Sequence, residues 1–69
     1  MNENRQLYNL SIVEDHANRL ESLLVSFRIG FNDWDKTRVF ETESGRLIVY
    51  TIFCKESTIN SIVTCLERD

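Results

Sequence analysis

One histidine, two cysteines and a tryptophan set between two aspartates are the side chains of this 69-residue chain with the most chemistry to offer. His16 follows Glu14 and Asp15, a trio that elsewhere binds a metal or moves a proton. At the start of a helix, however, three successive residues point in three directions, and no second histidine is present to complete a ligand set. His16 therefore reads as a half-exposed residue of a first helical turn. Cys54 and Cys65 lack CxxC spacing and companion histidines, so they read as free thiols of a reducing compartment rather than as a zinc site or a disulfide. None of Ser11, Ser22, Ser26, Ser44, Ser57 and Ser61 stands in a nucleophile-elbow context with a histidine and carboxylate at recognisable spacing. Two glycines are too few for a phosphate-cradling loop. No enzymatic activity, metal or cofactor is expected.

Binding is the remaining class. In Phe31-Asn32-Asp33-Trp34-Asp35-Lys36 the tryptophan either folds over the open end of the core as a lid, helped by Phe31, or serves as a binding hot spot. Asp33, Asp35, Glu41 and Glu43 make the surrounding stretch acidic, diluted by Lys36 and Arg38; charges of this kind ordinarily solvate an edge strand. Eight Lys and Arg against eleven Asp and Glu give a net charge of -3, which argues against a partner held through phosphates. Tyr50 and Phe53 fall on opposite faces of one strand and so do not form a single base-stacking platform. The polar amino terminus Met1-Asn2-Glu3-Asn4-Arg5 has no apolar h-region, and no run approaches the ~20 apolar residues of a membrane span. A cytoplasmic protein with neither nucleic acid nor membrane as partner is expected.

The elements that position these side chains follow from periodicity. Leu7 to Val13 alternates, with Tyr8, Leu10 and Ile12 on one side and Asn9 and Ser11 on the other. Asp15 offers an N-cap and an i,i+4 partner for Arg19. Ala17, Leu20, Leu24 and Phe27, widened by Leu23, form a helical stripe that Gly30 ends in a left-handed closure with Phe31 folding back. Phe31 to Lys36 is the longest connection. A strand from Thr37 to Glu43 follows, with Val39 and Phe40 on opposite faces, then a Ser44-Gly45 turn. The return strand, Leu47 to Cys54, is apolar on both faces, as a central strand would be. Ser57 caps a last helix with Ile59, Ile62, Val63 and Leu66 on its buried stripe.

These elements make one domain, residues 1–69, of class α+β and order βαββα. The right-handed crossover preference places the third strand between the other two, giving a three-stranded antiparallel sheet of order 1-3-2 with both helices on one face. This is a truncated ferredoxin-like arrangement, lacking the fourth strand that would pair with Leu7 to Val13. In element order it is similar to ACT-type regulatory modules, which use βαββαβ. A domain this small buries only about 60% of its unfolded surface, and one face of the central strand has no intrachain cover, so self-association is a natural outcome.

The sequence therefore points to a small noncatalytic protein-interaction module, a regulator or inhibitor of a larger protein. It would bind a protein partner, itself or another, through the uncovered sheet face or the first strand's edge, and a homodimer is expected. Periodicity leaves both assignments of the covered face open. If the face of Tyr8, Leu10, Ile48, Tyr50 and Ile52 is outward, those residues form the site, with Trp34 at one end. The alternative is an ACT-like small-ligand sensor dimer using the Gly30 to Lys36 connection.

Overall fold

The computed structural model describes residues 4–68; residues 1–3, which belong to the amino-terminal stretch discussed above, and residue 69 lie outside the described residues. The order is β1 (Arg5–Val13), α1 (Ala17–Ser26), β2 (Trp34–Thr42), β3 (Gly45–Lys55) and α2 (Glu56–Glu67), with single 3-10 turns at Glu14–His16 and Phe31–Asp33. The sheet is antiparallel throughout and ordered β1-β3-β2, so the fold is α+β with the apolar third strand in the centre. Among the described residues no helix is long and apolar enough to cross a membrane.

The core lies between one face of the sheet and the two helices. Ile48, Tyr50, Ile52 and Cys54 of β3 are buried together with Ala17, Leu20 and Leu24 of α1, Ile29 after it, and Ile59 and Ile62 of α2. Tyr8, Leu10 and Ile12 pack against this cluster from β1. Burying these apolar side chains is the main favourable term. Both helix stripes follow the expected spacing, with Leu23, Val63 and Leu66 half-buried at their margins and Phe27 partly exposed. Arg19 ties the helices together by donating to the carbonyls of Cys65 (2.7 Å) and Arg68 at the end of α2, where carbonyls lack helical donors.

Local signals misplace several boundaries, for identifiable reasons. Asp15 does not cap α1: the chain enters through the 3-10 turn, which contains Asp15, and His16 takes the N-cap position without a side-chain bond. Ser57 is likewise inside α2, whose N-cap is Lys55, again without a side-chain cap bond. Gly30 is extended (φ -73°, ψ 165°). The left-handed residue is Arg28, at φ 62°. Its amide bonds the Val25 carbonyl and the Ile29 amide bonds the Leu24 carbonyl, each at 2.9 Å, the paired bonds of a Schellman closure. Ile29, not Phe31, folds back, and its burial beside Leu24 decides where the helix ends.

The hairpin loop is Glu43-Ser44, one residue earlier than expected, and Gly45 is already paired with Thr42. Gly45 supplies φ 126°, a conformation side chains resist. β2 starts at Trp34, three residues before the expected start at Thr37, and carries a bulge between Lys36 and Arg38. The extra residue, Thr37, reverses the alternation: Trp34 and Lys36 lie opposite inward-facing Ile52 and Tyr50, whereas Arg38 and Phe40 lie opposite Val49 and Leu47.

The two left-handed positions should respond oppositely to substitution. No atom would obstruct a Cβ at Gly45, so Gly45→Ala tests backbone conformation alone and should cost about 1 kcal/mol or more in urea unfolding. Arg28→Gly should stabilise by about 0.5–1 kcal/mol, since a left-handed L-residue is strained by roughly 1–2 kcal/mol.

Candidate functional site

The six residues whose types suggested a binding face are brought together, but on the covered side of the sheet. Ile48, Tyr50 and Ile52 are buried, Tyr8, Leu10 and Trp34 are half-buried, and the register pairs Tyr8 and Trp34 with Ile52 and Leu10 with Tyr50. The condition for making them a surface, an outward orientation, is not met. Both helices need a flat apolar bed, and this face supplies it without interruption from Ile48 to Cys54. Trp34 closes one end of that bed: its ring lies 5.8 Å from Tyr50, and Phe31 lies tilted 6.3 Å from it, 84% exposed.

Tyr50 is the polar exception in the core. Its hydroxyl donates to Glu21 Oε2 at 2.6 Å, and Lys36 Nζ lies 3.1 Å from the same oxygen. The bond from Tyr50 draws the Glu21 carboxyl below its ordinary range, burial opposes this, and Lys36 adds a hydrogen bond and a charge in the same direction as Tyr50. Burial, then the Glu21 hydrogen bond and charge, push the Tyr50 phenol well above its ordinary value near 10. The arrangement locks β3 and β2 to α1.

The uncovered face is the other one. Leu7 opposes Phe53 at one end, while Val13 and Phe40 flank Leu47 at the other. Leu7 is 69%, Phe40 46%, Phe53 38% and Val13 38% exposed. Between these apolar ends runs a polar band across all three strands. The Thr51 hydroxyl reaches Asn9 Oδ1 at 2.9 Å and lies 3.2 Å from Thr37 Oγ1, whose own hydroxyl reaches the Val49 carbonyl at 3.2 Å. By register Arg5, Arg38 and Lys55 belong to this face, with Asp35 the opposing charge. A shallow groove of about 460 Å³ runs off it between Leu7, Phe53, Phe31 and Trp34.

A sequence signal for this assignment existed. Asn9 and Ser11 share the polar side of β1, and pairing Asn9 with Thr51 collects the polar residues of both strands on one face, whereas a shift of one residue would separate them. β3 alone, apolar on both sides, hides it. Of the remaining candidates, His16 is exposed in its 3-10 turn, Cys54 is buried and Cys65 half-buried, both as free thiols. Among the described residues no three of His, Cys, Asp and Glu gather into a metal-binding group. In comparisons with known proteins, no family model matches the chain, and no curated protein or solved structure matches it significantly.

The two faces should separate under substitution. Ile52→Ala should cost about 2–4 kcal/mol through cavity formation, whereas Leu7→Ser should change stability by less than about 0.5 kcal/mol, both read by urea unfolding. Because the folded Glu21 pKa is lowered, its contribution is present above the ordinary carboxylate range and lost as pH falls through the lowered value. The raised Tyr50 value contributes stability below about pH 10 that disappears as pH rises further. Tyr50→Phe should cost about 1 kcal/mol at pH 7 and make both limbs of the stability–pH curve shallower. An unchanged acid limb would show that the pair is not coupled.

Proposed function

We propose that this chain is a small noncatalytic protein-interaction module, a regulator or inhibitor that acts by seating a protein partner on the uncovered face of its sheet. The observation that carries this reading is the pairing of Leu7 with Phe53, and of Val13 and Phe40 with Leu47, on a face that nothing among the described residues covers. A cytoplasmic setting, suited to the free thiols, belongs to the same reading, as does the ferredoxin-like relation of the fold.

Size and charge select the partner. Three strands of nine or more residues span a face of about 30 by 14 Å, roughly half of the ~800 Å² per partner that a standard stable interface buries. The partner must therefore extend beyond the face, onto the Phe31–Trp34 groove or along β1 or β2, both edge strands with open backbone groups. Arg5, Arg38 and Lys55 against Asp35 leave this face positive on a chain of net charge -3. A second copy would bring like charges together, so a protein with an acidic rim and an apolar centre fits better than the homodimer. Nucleic acid fits less well, because the chain as a whole repels a polyanion.

The second reading, an ACT-like small-ligand sensor, draws on the shared element order and on a cavity of about 260 Å³ beside the α1–β2 connection, lined in part by Ile29 and Asp33.

Light scattering over a concentration series, repeated on the Leu7→Ser/Phe40→Asp double variant, whose positions are exposed and not paired with each other, tests the first reading. The expected result is a monomer that forms a complex of fixed stoichiometry with an acidic protein, weakened by salt and lost in the variant while thermal unfolding is unchanged. A stable dimer broken by the same substitutions would assign the face to a second copy. Saturable RNA binding at low salt, or a partner indifferent to the substitutions, would overturn the reading.

A further inference from the structure

The cations of this acidic chain are unevenly employed. Lys36 is paired with Glu21, and Arg46 with Glu14 and Glu41 at 3.4 and 3.7 Å. Arg19 is committed to the end of α2. Five others have no carboxylate within ion-pair distance among the described residues, and three of these, Arg5, Arg28 and Lys55, line the 260 Å³ cavity at the end of the sheet, whereas Arg38 and Arg68 do not. The three arrive from three elements: the start of β1, the closure of α1 and the end of β3. Holding like charges around one concavity is unfavourable unless an anion joins them.

Two further observations converge on the same place. Arg28 occupies the left-handed position that closes α1, where glycine would be unstrained; it is the one non-glycine residue with positive φ among those described. The closure that buries Ile29 beside Leu24 sets this conformation and leaves Arg28 in the lining of the cavity. The N-terminus of α2 is also without a side-chain cap, and its first-turn residue Thr58 borders the cavity. The helix dipole favours negative charge there, and Glu56 already stands in its first turn.

Charge count selects the ligand class. Three cations and the one lining carboxylate, Asp33, leave +2, which a phosphate dianion neutralises and a carboxylate does not. Phe27 and Phe53 provide apolar walls beside the cations. We infer that this cavity is a binding site for a small organic phosphomonoester, its phosphoryl oxygens held by Arg5, Arg28 and Lys55 and its organic part against Phe53. The site shares Arg5, Lys55 and Phe53 with the open sheet face; it rests on the small-ligand reading and gives that reading a ligand chemistry.

The test is an amide NMR titration of the full chain at low salt with inorganic phosphate, phenyl phosphate and acetate. Saturable shifts confined to Arg28, Lys55, Thr58 and their neighbours are expected with phosphate, tighter with phenyl phosphate and absent with acetate. Lys55 is exposed, so Lys55→Gln should fold normally and weaken binding by about tenfold, the worth of one lost charge-assisted contact. Arg28→Lys should bind better than Arg28→Gln. Non-saturating shifts, shifts spread equally over Arg38 and Arg46, or equal response to acetate would overturn the proposal. An oligonucleotide bearing a 5′-phosphate serves as a further arm: preference for it over phenyl phosphate would reject the small-molecule source.

Discussion

A single phenol fixes this architecture. Tyr50 sits at the middle of the central strand, fully buried, and its hydroxyl must find an acceptor because an unsatisfied buried hydroxyl is costly. Glu21 supplies it from α1, and Lys36 reaches the same carboxylate from β2. One carboxylate thus connects the central strand, an edge strand and a helix. No side-chain polar atom buried among the described residues lacks a partner. Apolar packing alone would tolerate sliding of α1 along the sheet; the directional bond does not. The rotation of α1 that aligns Glu21 with Tyr50 is also the one that turns Leu20 and Leu24 into the core.

Much of this fold is readable from residue order. Hydrophobic spacing locates every strand and both helices, and the crossover preference yields the strand order. What periodicity does not carry is the identity of the buried face. Ile48, Tyr50 and Ile52 are scarcely more apolar than Leu47, Val49 and Phe53, so β3 reads alike from either side. Only pairing partners distinguish them, and pairing is a nonlocal property. The helix caps fail for a related reason: Asp15 and Ser57 have suitable side chains, but the burial of flanking core residues places the helix starts elsewhere.

The C-terminus of α1 shows how packing outweighs local preference. Gly30 is available for the left-handed position, yet the chain uses Arg28, two residues earlier, because this brings Ile29 back onto Leu24. The same choice moves the guanidinium toward the end of the sheet, beside Arg5 and Lys55. The cationic cavity is invisible in the sequence for this reason. Its three basic residues are separated by more than twenty positions at each interval, and the middle one is placed by a helix closure that glycine rules assign elsewhere.

The bulge at Thr37 decides which residues β2 presents to each side of the sheet. Residues before it and after it are out of phase by one, so Trp34 and Lys36 serve the covered side while Phe40 is delivered to the open one. If Thr37 instead entered the ladder opposite Val49, every residue from there to the turn would shift by one and Val39 would replace Phe40 opposite Leu47 on the open face, leaving β1, β3 and the helices untouched. Closing or opening that bulge, a slip of one residue in a single edge strand, is therefore enough to alter what the sheet presents.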